Sequence, residues 1–206
     1  MKKTFRCNAK GLFLFDSNSY FCNVSIINKI GNILLQQKLK RRTRTKVMCD
    51  WDGAKTVGIL FTADSIDSYN RIIQFANKLV EERDIKVLSI GFVENNKHFD
   101  LYTEQSGFRF FSPKQCNWYG KPKDHAVDFF VEKDFDLLLD FNLKDNVTLD
   151  FISGMSKAKF KVGRQKDNSR LYDMMIDPRK ENTLDYFITQ VEFYLSMFKV
   201  EHKKEA

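Results

Sequence analysis

Short apolar runs alternate with amphipathic segments along the chain from residue 56 to residue 198. The first run, TVGILF at 56–61, is typical of a buried strand, and residues 65–83 place their apolar side chains on one helical face. A second run, IKVLSIGF at 85–92, is again apolar and lacks proline. A strand, a helix and a strand joined by tight connections form a right-handed crossover with parallel strands. The alternation therefore predicts an α/β fold.

The same alternation continues towards the end of the chain. It predicts four more strands at 108–111, 136–142, 158–163 and 172–177, and three more helices at 124–133, 147–155 and 181–198. At 206 residues and 43% hydrophobic content, the chain is large enough to bury a core between layers of this kind. We expect a three-layer, Rossmann-like domain over residues 47–200, built on a mainly parallel sheet of five or six strands.

The excess of basic over acidic residues lies before the first predicted strand. Residues 1–55 hold twelve Lys or Arg against three Asp, a net charge of +9, although the whole chain carries only +7. Apolar residues at helical spacing predict a basic amphipathic helix over residues 24–46. Its end carries six bases: Lys38, Lys40, Arg41, Arg42, Arg44 and Lys46. We expect residues 1–23 to form a flexible extension and residues 201–206 a charged tail.

Two interpretations are open for this basic helix. A cluster of this kind favours an anionic membrane surface or nucleic acid, with Ile26, Ile30, Ile33 and Leu34 docking or inserting. Alternatively, residues 26–46 pack on the domain, on a protein partner or on a second copy of the chain in a homodimer, and the charge is incidental. Truncating the helix lowers the melting temperature only in the second case.

The run CDWDGAK at 49–55 has the Asp-x-Asp spacing of phosphatases of the haloacid dehalogenase kind. In those enzymes the first aspartate follows a hydrophobic strand, whereas Asp50 and Asp52 precede the predicted strand at 56–61. Catalytic groups of open α/β sheets gather at the carboxyl ends of the strands. The motif therefore predicts a tight Asp-Gly turn and no hydrolase nucleophile.

Polar side chains follow two of the predicted strands at their carboxyl ends. Asp64 and Ser65 come after the strand at 56–61, and Asp140 and Asn142 close the strand at 136–142. These residues are candidates for binding a nucleotide or a nucleotide sugar, and Asp64 with Asp140 is a pair suited to a divalent cation. Helix capping is the alternative, and neither glycine-rich phosphate motif is present. The sequence assigns no catalytic residue, no metal ligand and no cofactor.

The loop CNWYGKPK at 116–123 combines aromatic residues with glycine, proline and lysine, a composition typical of exposed recognition loops. Trp118 and Tyr119 can stack on a base or a sugar, and Lys121 and Lys123 can neutralise phosphates. The alternative is that Trp118 covers an edge of the sheet.

No stretch predicts a membrane-spanning segment or a secretory signal, and the four cysteines form no C-x-x-C pair. None of the three histidines belongs to a pattern for nucleophilic catalysis. We therefore expect a cytoplasmic protein that is peripheral at the inner membrane if the basic helix binds lipid.

The chain resembles an uncharacterised Bacteroidetes family of small α/β proteins in the segments AKTVGILF, NWYGKPK, FDLLLDFN, SKAKFKVG and YDMMID, over roughly residues 24 to 200. The resemblance implies a bacterial cytoplasmic protein with a domain of unknown function. Residues 135–163 are also similar to the N-terminal Rossmann-like half of heptosyltransferase-type glycosyltransferases. Those enzymes carry Gly-Asp after the first strand, where this chain reads Thr62-Ala63-Asp64, and they need a second domain.

These observations predict a binding or adaptor domain whose basic helix attaches to an anionic surface. The alternative is a small nucleotide- or nucleotide-sugar-binding protein or enzyme related to one half of a glycosyltransferase.

Overall fold

The computed structural model describes residues 17–95, 102, 106–166, 170–178 and 180–199, with side chains from residue 28 onward. Residues 1–16, the larger part of the predicted extension, and the predicted tail at 201–206 lie outside the described residues. The strands are β1 (Thr56–Thr62), β2 (Lys86–Phe92), β3 (Phe108–Phe111), β4 (Leu137–Asp140), β5 (Phe160–Arg164) and β6 (Met174–Ile176). The α-helices are α1 (Ser17–Arg41), α2 (Ile66–Arg83), α3 (His125–Glu132), α4 (Val147–Met155) and α5 (Leu184–Met197), and a 3-10 helix spans Pro113–Gln115.

These strands form one sheet in the order β3-β2-β1-β4-β5-β6, and every neighbouring pair runs parallel. The predicted α/β fold is therefore confirmed. The chain starts the sheet with β1, builds outward through β2 and β3, and returns to place β4 on the other side of β1. This is the Rossmann strand order, in which the reversal between β1 and β4 opens a crevice at the carboxyl ends of the strands.

Apolar side chains fill both faces of the sheet. Leu137 and Leu139 of β4 belong to the cluster beneath α2 and α5, whereas Leu138 belongs to the cluster beneath α3 and α4. Successive strand residues point to opposite faces, so a strand that is covered on both sides needs apolar residues at nearly every position. This is why β1 and β4 are nearly uninterrupted apolar runs in the sequence.

The basic helix α1 packs along α4 and is part of the domain. It begins at Ser17 and ends at Arg41, whereas the sequence predicts 24–46. Leu35 is fully buried in the contact, and a Cβ atom at Gly31 would stand only 2.6 Å from the carbonyl oxygen of Tyr119. Glycine at this position therefore allows α1 to approach the loop before α3. The structure agrees with the second interpretation of this segment, in that residues of α1 pack on their own domain.

Asp50 and Asp52 precede β1, at the amino edge of the sheet. Asp50 is buried, and its Oδ1 accepts a hydrogen bond from Gly53 N at 2.9 Å. Asp52 is exposed and lines a cavity of about 740 Å³ near the amino ends of β1 and β2. Both aspartates lie at the edge opposite to the one where α/β sheets carry their ligands, so the predicted turn agrees with the structure.

β5 continues through Gly163 to Arg164, although the sequence predicts that the strand stops at the glycine. A Cβ atom at Gly163 would stand 2.5 Å from the ring of Tyr172. The glycine is therefore needed because Tyr172 lies directly against the strand, and it does not mark the end of β5.

Candidate functional site

The reversal point between β1 and β4 carries a cavity of about 220 Å³. Its lining includes Thr62 at the end of β1, Asp64 and Ser68 at the start of α2, and Asn142 just after β4. Thr62 Oγ1 donates a hydrogen bond to Asn142 Oδ1 at 2.7 Å and ties the two strand ends together. The structure thus brings the predicted site residues Asp64 and Asn142 to one cavity.

Side chains of the protein already cap the N-termini of α2 and α4, the helices that follow β1 and β4 at this edge. Ser65 Oγ accepts a hydrogen bond from Ser68 N at 3.0 Å at the start of α2, and Asn146 Oδ1 accepts one from Thr148 N at 3.0 Å at the start of α4. The first turn of each helix also carries an aspartate. Ser65 therefore has the capping role that was the alternative to ligand binding, and neither N-terminus favours a bound phosphate.

Asp140 lies beneath α4 and is absent from the lining of the cavity. The residue is 2% exposed, and its Oδ2 accepts hydrogen bonds from Ser153 Oγ and Tyr172 OH, both at 2.6 Å. Side chains alternate along β4, so Asp140 points to the same face as Leu138, towards α4. The structure therefore does not pair Asp140 with Asp64 as the sequence suggested for a divalent cation.

A buried lysine lies next to this network. Lys161 of β5 is 2% exposed, and its Nζ donates a hydrogen bond to the carbonyl oxygen of Ser153 at 2.6 Å. Burial is the main cause that lowers the pKa of Lys161 to about 7, and the nearby positive charges of Arg44 and Arg42 add to this effect. Burial is also the main cause that raises the pKa of Tyr172 well above its ordinary value, and the negative charge of the Asp140 carboxyl adds to it.

The cavity at the reversal point continues across the carboxyl ends of β4 and β5. It shares Leu143 and Asn182 with a second cavity of about 420 Å³. The second cavity shares Arg164, Gln165 and Lys166 with a third of about 470 Å³ beside α1. Together these three cavities form what we call the carboxyl-edge groove.

Two nearly buried side chains of opposite charge lie in the third cavity. Lys166 Nζ bonds the carboxyl of Asp150, and the two side chains are 8% and 12% exposed. Burial raises the pKa of Asp150, and the charge of Lys166 opposes this shift without cancelling it. Arg164 pairs with Asp145 beside them, while its buried Nε has no hydrogen-bond partner among the described residues. A carboxyl with a raised pKa in a cavity is typical of a binding or proton-transfer site.

Helix α1 contributes a row of amides to the same cavity. Asn28, Asn32 and Gln36 are spaced by four residues, so they lie one above the other on one face of the helix. Their side chains make no hydrogen bond to another residue that the structure describes. Sequence reasoning missed these residues together with Asp150, Arg164 and Lys166. The spacing of the amides and the position of Arg164 after a predicted strand were the available signals.

Three of the six bases predicted for an anionic surface contact the domain. Arg42 donates a hydrogen bond to the carbonyl oxygen of Met155, and Lys46 Nζ lies 3.2 Å from Asp173 Oδ1. Arg44 Nη2 bonds both oxygens of Asp173, at 2.7 and 2.6 Å. The remaining three bases are exposed and make no ion pair with a described residue: Lys38, Lys40 and Arg41.

The predicted recognition residues Trp118 and Lys121 lie in the loop before α3, outside the lining of the carboxyl-edge groove. Trp118 is 67% exposed and therefore does not cover an edge of the sheet.

Within the described ranges, no group of three or more His, Cys, Asp or Glu side chains is placed to hold a metal ion. The described helices include none with the length and apolar character needed to cross a bilayer.

Comparison with known proteins places the chain within one family. Residues 27–198 match a family described as a family of unknown function (DUF6913), and this range agrees with the resemblance noted over residues 24–200. No curated protein and no solved structure matches the chain. The likeness to one half of a glycosyltransferase stays a prediction.

Proposed function

Because the chain belongs to the family of unknown function DUF6913, we propose a function from its own site, the binding of a small polar ligand in the carboxyl-edge groove. The ligand lies across the carboxyl ends of β4 and β5, with α1 as one wall. Since the N-termini of α2, α4 and α5 at this edge are capped by side chains of the protein itself, the ligand is recognised through hydroxyl or amide groups and not through a phosphate held there.

The observation that carries this proposal is the ion pair of Asp150 and Lys166 in the groove. Removing both charges from water costs free energy that their mutual attraction often fails to offset, so such a pair is weak support for folding stability alone. In proteins generally, replacing a buried ion pair by well-packed apolar residues is often neutral or stabilising. A charged pair kept at the ligand-binding edge of an α/β sheet therefore supports a role in recognition.

Replacing Asn32 with tryptophan is expected to abolish stabilisation by the ligand. Asn32 is exposed on α1 and lines the groove, so the indole occupies the cavity without entering the core. The measurement is a thermal-shift panel of nucleosides, nucleotides, nucleotide sugars, monosaccharides and amino acids. A compound at about 100 times its Kd stabilises the native state by about 2.7 kcal/mol, a rise in Tm of about 5–10 °C for a chain of this size.

The matched control is Gln37→Trp, because Gln37 is exposed on the same helix and does not line the groove. This variant should respond to the compound as the wild type does. A panel in which no compound stabilises the wild type contradicts the proposal, and so does an Asn32→Trp variant that keeps the full wild-type shift.

A second candidate function is weak attachment to an anionic membrane through α1. The observation that favours it is the exposure of Lys38, Lys40 and Arg41 without ion pairs to described residues. Each base near such a surface contributes on the order of 1 kcal/mol. Arg42, Arg44 and Lys46 are engaged by the domain, so the attraction is about half of what all six bases would supply.

Replacing Lys38, Lys40 and Arg41 together with glutamate is expected to abolish flotation with vesicles that contain phosphatidylserine. The three charges lie in the last turn of α1, where glutamate opposes the helix dipole, so the melting temperature should fall by a few degrees while the domain stays folded. Flotation of the wild type should decrease steeply with added salt, because exposed charges are screened.

The control for net charge replaces three other exposed residues with glutamate: Lys55, Lys86 and Lys180. This triple variant has the same net charge and should float with the vesicles as the wild type does. Equal loss in both triple variants would assign the attraction to overall charge and not to α1.

A further inference from the structure

The loop at residues 116–123, which we call the Trp118 loop, has a shape defined by its own hydrogen bonds. Cys116 and Pro122 form an antiparallel bridge, and Asn117 N donates a hydrogen bond to Lys121 O at 2.9 Å. Asn117 Oδ1 accepts one in return from Lys121 N at 2.8 Å. Gly120 has a φ of +85°, in the left-handed region that glycine adopts without strain. None of these contacts needs the Trp118 side chain.

One side of the loop is packed against the domain. The ring of Tyr119 lies 5.9 Å from that of Phe151 in α4, and the Tyr119 carbonyl oxygen approaches Gly31 of α1. Pro122 is buried. The loop therefore presents its tip from a rigid support, which reduces the conformational entropy that a partner must remove on binding.

The tip of the loop is an exposed tryptophan. The Trp118 side chain is 67% exposed, and its ring forms an edge-to-face pair with Tyr119, with centroids 5.2 Å apart. The other tryptophan, Trp51, is 5% exposed. An exposed indole on a rigid loop adds little to the stability of the free protein and is a natural contact for a partner.

The surroundings of Trp118 are basic. Residues 113–123 contain Lys114, Lys121 and Lys123 and no acid, and none of these lysines forms an ion pair with a described residue. Lys121 and Lys123 flank Pro122 of the bridge, so their side chains leave the ribbon on the same side. The next acid, Asp124, accepts hydrogen bonds from Ala126 N and Gln115 Nε2 and is occupied in capping α3.

We propose that the Trp118 loop docks a single-stranded nucleic acid, with a base stacked on Trp118 and phosphates beside Lys121 and Lys123. Every base has an aromatic face, so such stacking tolerates many sequences, and the lysines bind the backbone. This surface lies outside the carboxyl-edge groove and does not depend on the function proposed for the groove.

A bilayer fits this surface less well than a nucleic acid. Binding to a membrane interface increases with the apolar area that can be inserted. Tyr119 packs on Phe151 and Pro122 is buried, so Trp118 is the one large apolar side chain of the loop that is free to insert. One indole face is enough to stack a base, whereas it provides little apolar area for insertion.

The test uses the full chain and a labelled twelve-nucleotide oligothymidylate, which forms no base pairs of its own. Binding is followed by fluorescence anisotropy and, independently, by quenching of the exposed Trp118. Trp118→Ala should weaken binding by roughly 5- to 150-fold, the effect of losing one stacked base. Replacing Lys121 and Lys123 with alanine should lower the slope of log K against log salt by about 1.4, or about 0.7 for each phosphate contact.

Phe129→Ala is the matched control, because Phe129 is an aromatic residue of α3 with 62% exposure. It should bind the oligonucleotide as the wild type does, and both aromatic variants should keep the wild-type melting temperature. Equal binding by Trp118→Ala and the wild type overturns the proposal, as does a wild type that shows no binding. Flotation with phosphatidylserine vesicles that needs Trp118, without oligonucleotide binding, would instead assign the loop to a membrane. None of these outcomes alters the thermal-shift test of the groove.

Discussion

Replacing Leu35 with alanine is expected to lower the free energy of unfolding by about 2–5 kcal/mol, the usual cost of removing a fully buried leucine side chain. Leu35 is 0% exposed and belongs to a cluster with Phe151, Leu171 and Tyr172. Alanine has the highest helix propensity, so the loss comes from packing and not from a weaker helix. Urea unfolding should show the change as a lower midpoint with a similar slope.

The control for this prediction is Ile33→Ala on the same helix, because Ile33 is 58% exposed. Its effect should stay within about 0.5 kcal/mol. If Leu35→Ala unfolded at the wild-type midpoint, α1 would be a separable appendage, and the groove would lose one of its walls.

Replacing Lys161 with methionine is expected to stabilise the protein at pH 6 and to remove part of its pH dependence. Folding lowers the pKa of Lys161 from 10.5 to about 7, chiefly through burial. Between these two values the unfolded chain binds a proton that the folded Lys161 has released, so stability increases as the pH rises through this window. Over the full window the free energy of unfolding changes by about 5 kcal/mol.

The measurement is the difference in free energy of unfolding between Lys161→Met and the wild type from pH 6 to pH 10. The advantage of the variant should shrink steadily with pH, and near pH 10 the loss of the hydrogen bond to the Ser153 carbonyl should make it slightly less stable.

Lys159→Met serves as the control, because its hydrogen bond with Asp136 raises the pKa of Lys159. The stability that a raised lysine pKa supplies is lost only when the pH rises above the ordinary lysine pKa. The difference in free energy of unfolding between Lys159→Met and the wild type should therefore stay constant over most of this range. A constant difference for Lys161→Met would show that Lys161 titrates normally in the folded state.

The layers of the fold could be predicted because helix and strand periodicities are local properties. TVGILF and DLLLDFN are continuous apolar runs since both faces of the sheet are covered. Ser65 was recognisable as the N-cap of α2, and its Oγ accepts the hydrogen bond from Ser68 N that this role requires.

The candidate site was predictable only in part. Asp64 and Asn142 follow adjacent strands and do meet at the reversal point. Asp140 also closes a strand, but side chains alternate along β4, and this alternation places the Asp140 side chain beneath α4. The orientation of Asp140 depends on the face to which the preceding leucines point. The exposure of Trp118 likewise depends on how the loop packs against α1, which no local pattern records.

By itself, the sequence determined the order of strands and helices and the parallel course of the sheet, because burial periodicity and crossover connections can be read from neighbouring residues. The tertiary structure alone decided that α1 is part of the domain and that its amides meet Asp150 and Lys166 in one groove. Residues so far apart along the chain are brought together by the close packing of whole elements. Such packing leaves no periodic signal in the sequence.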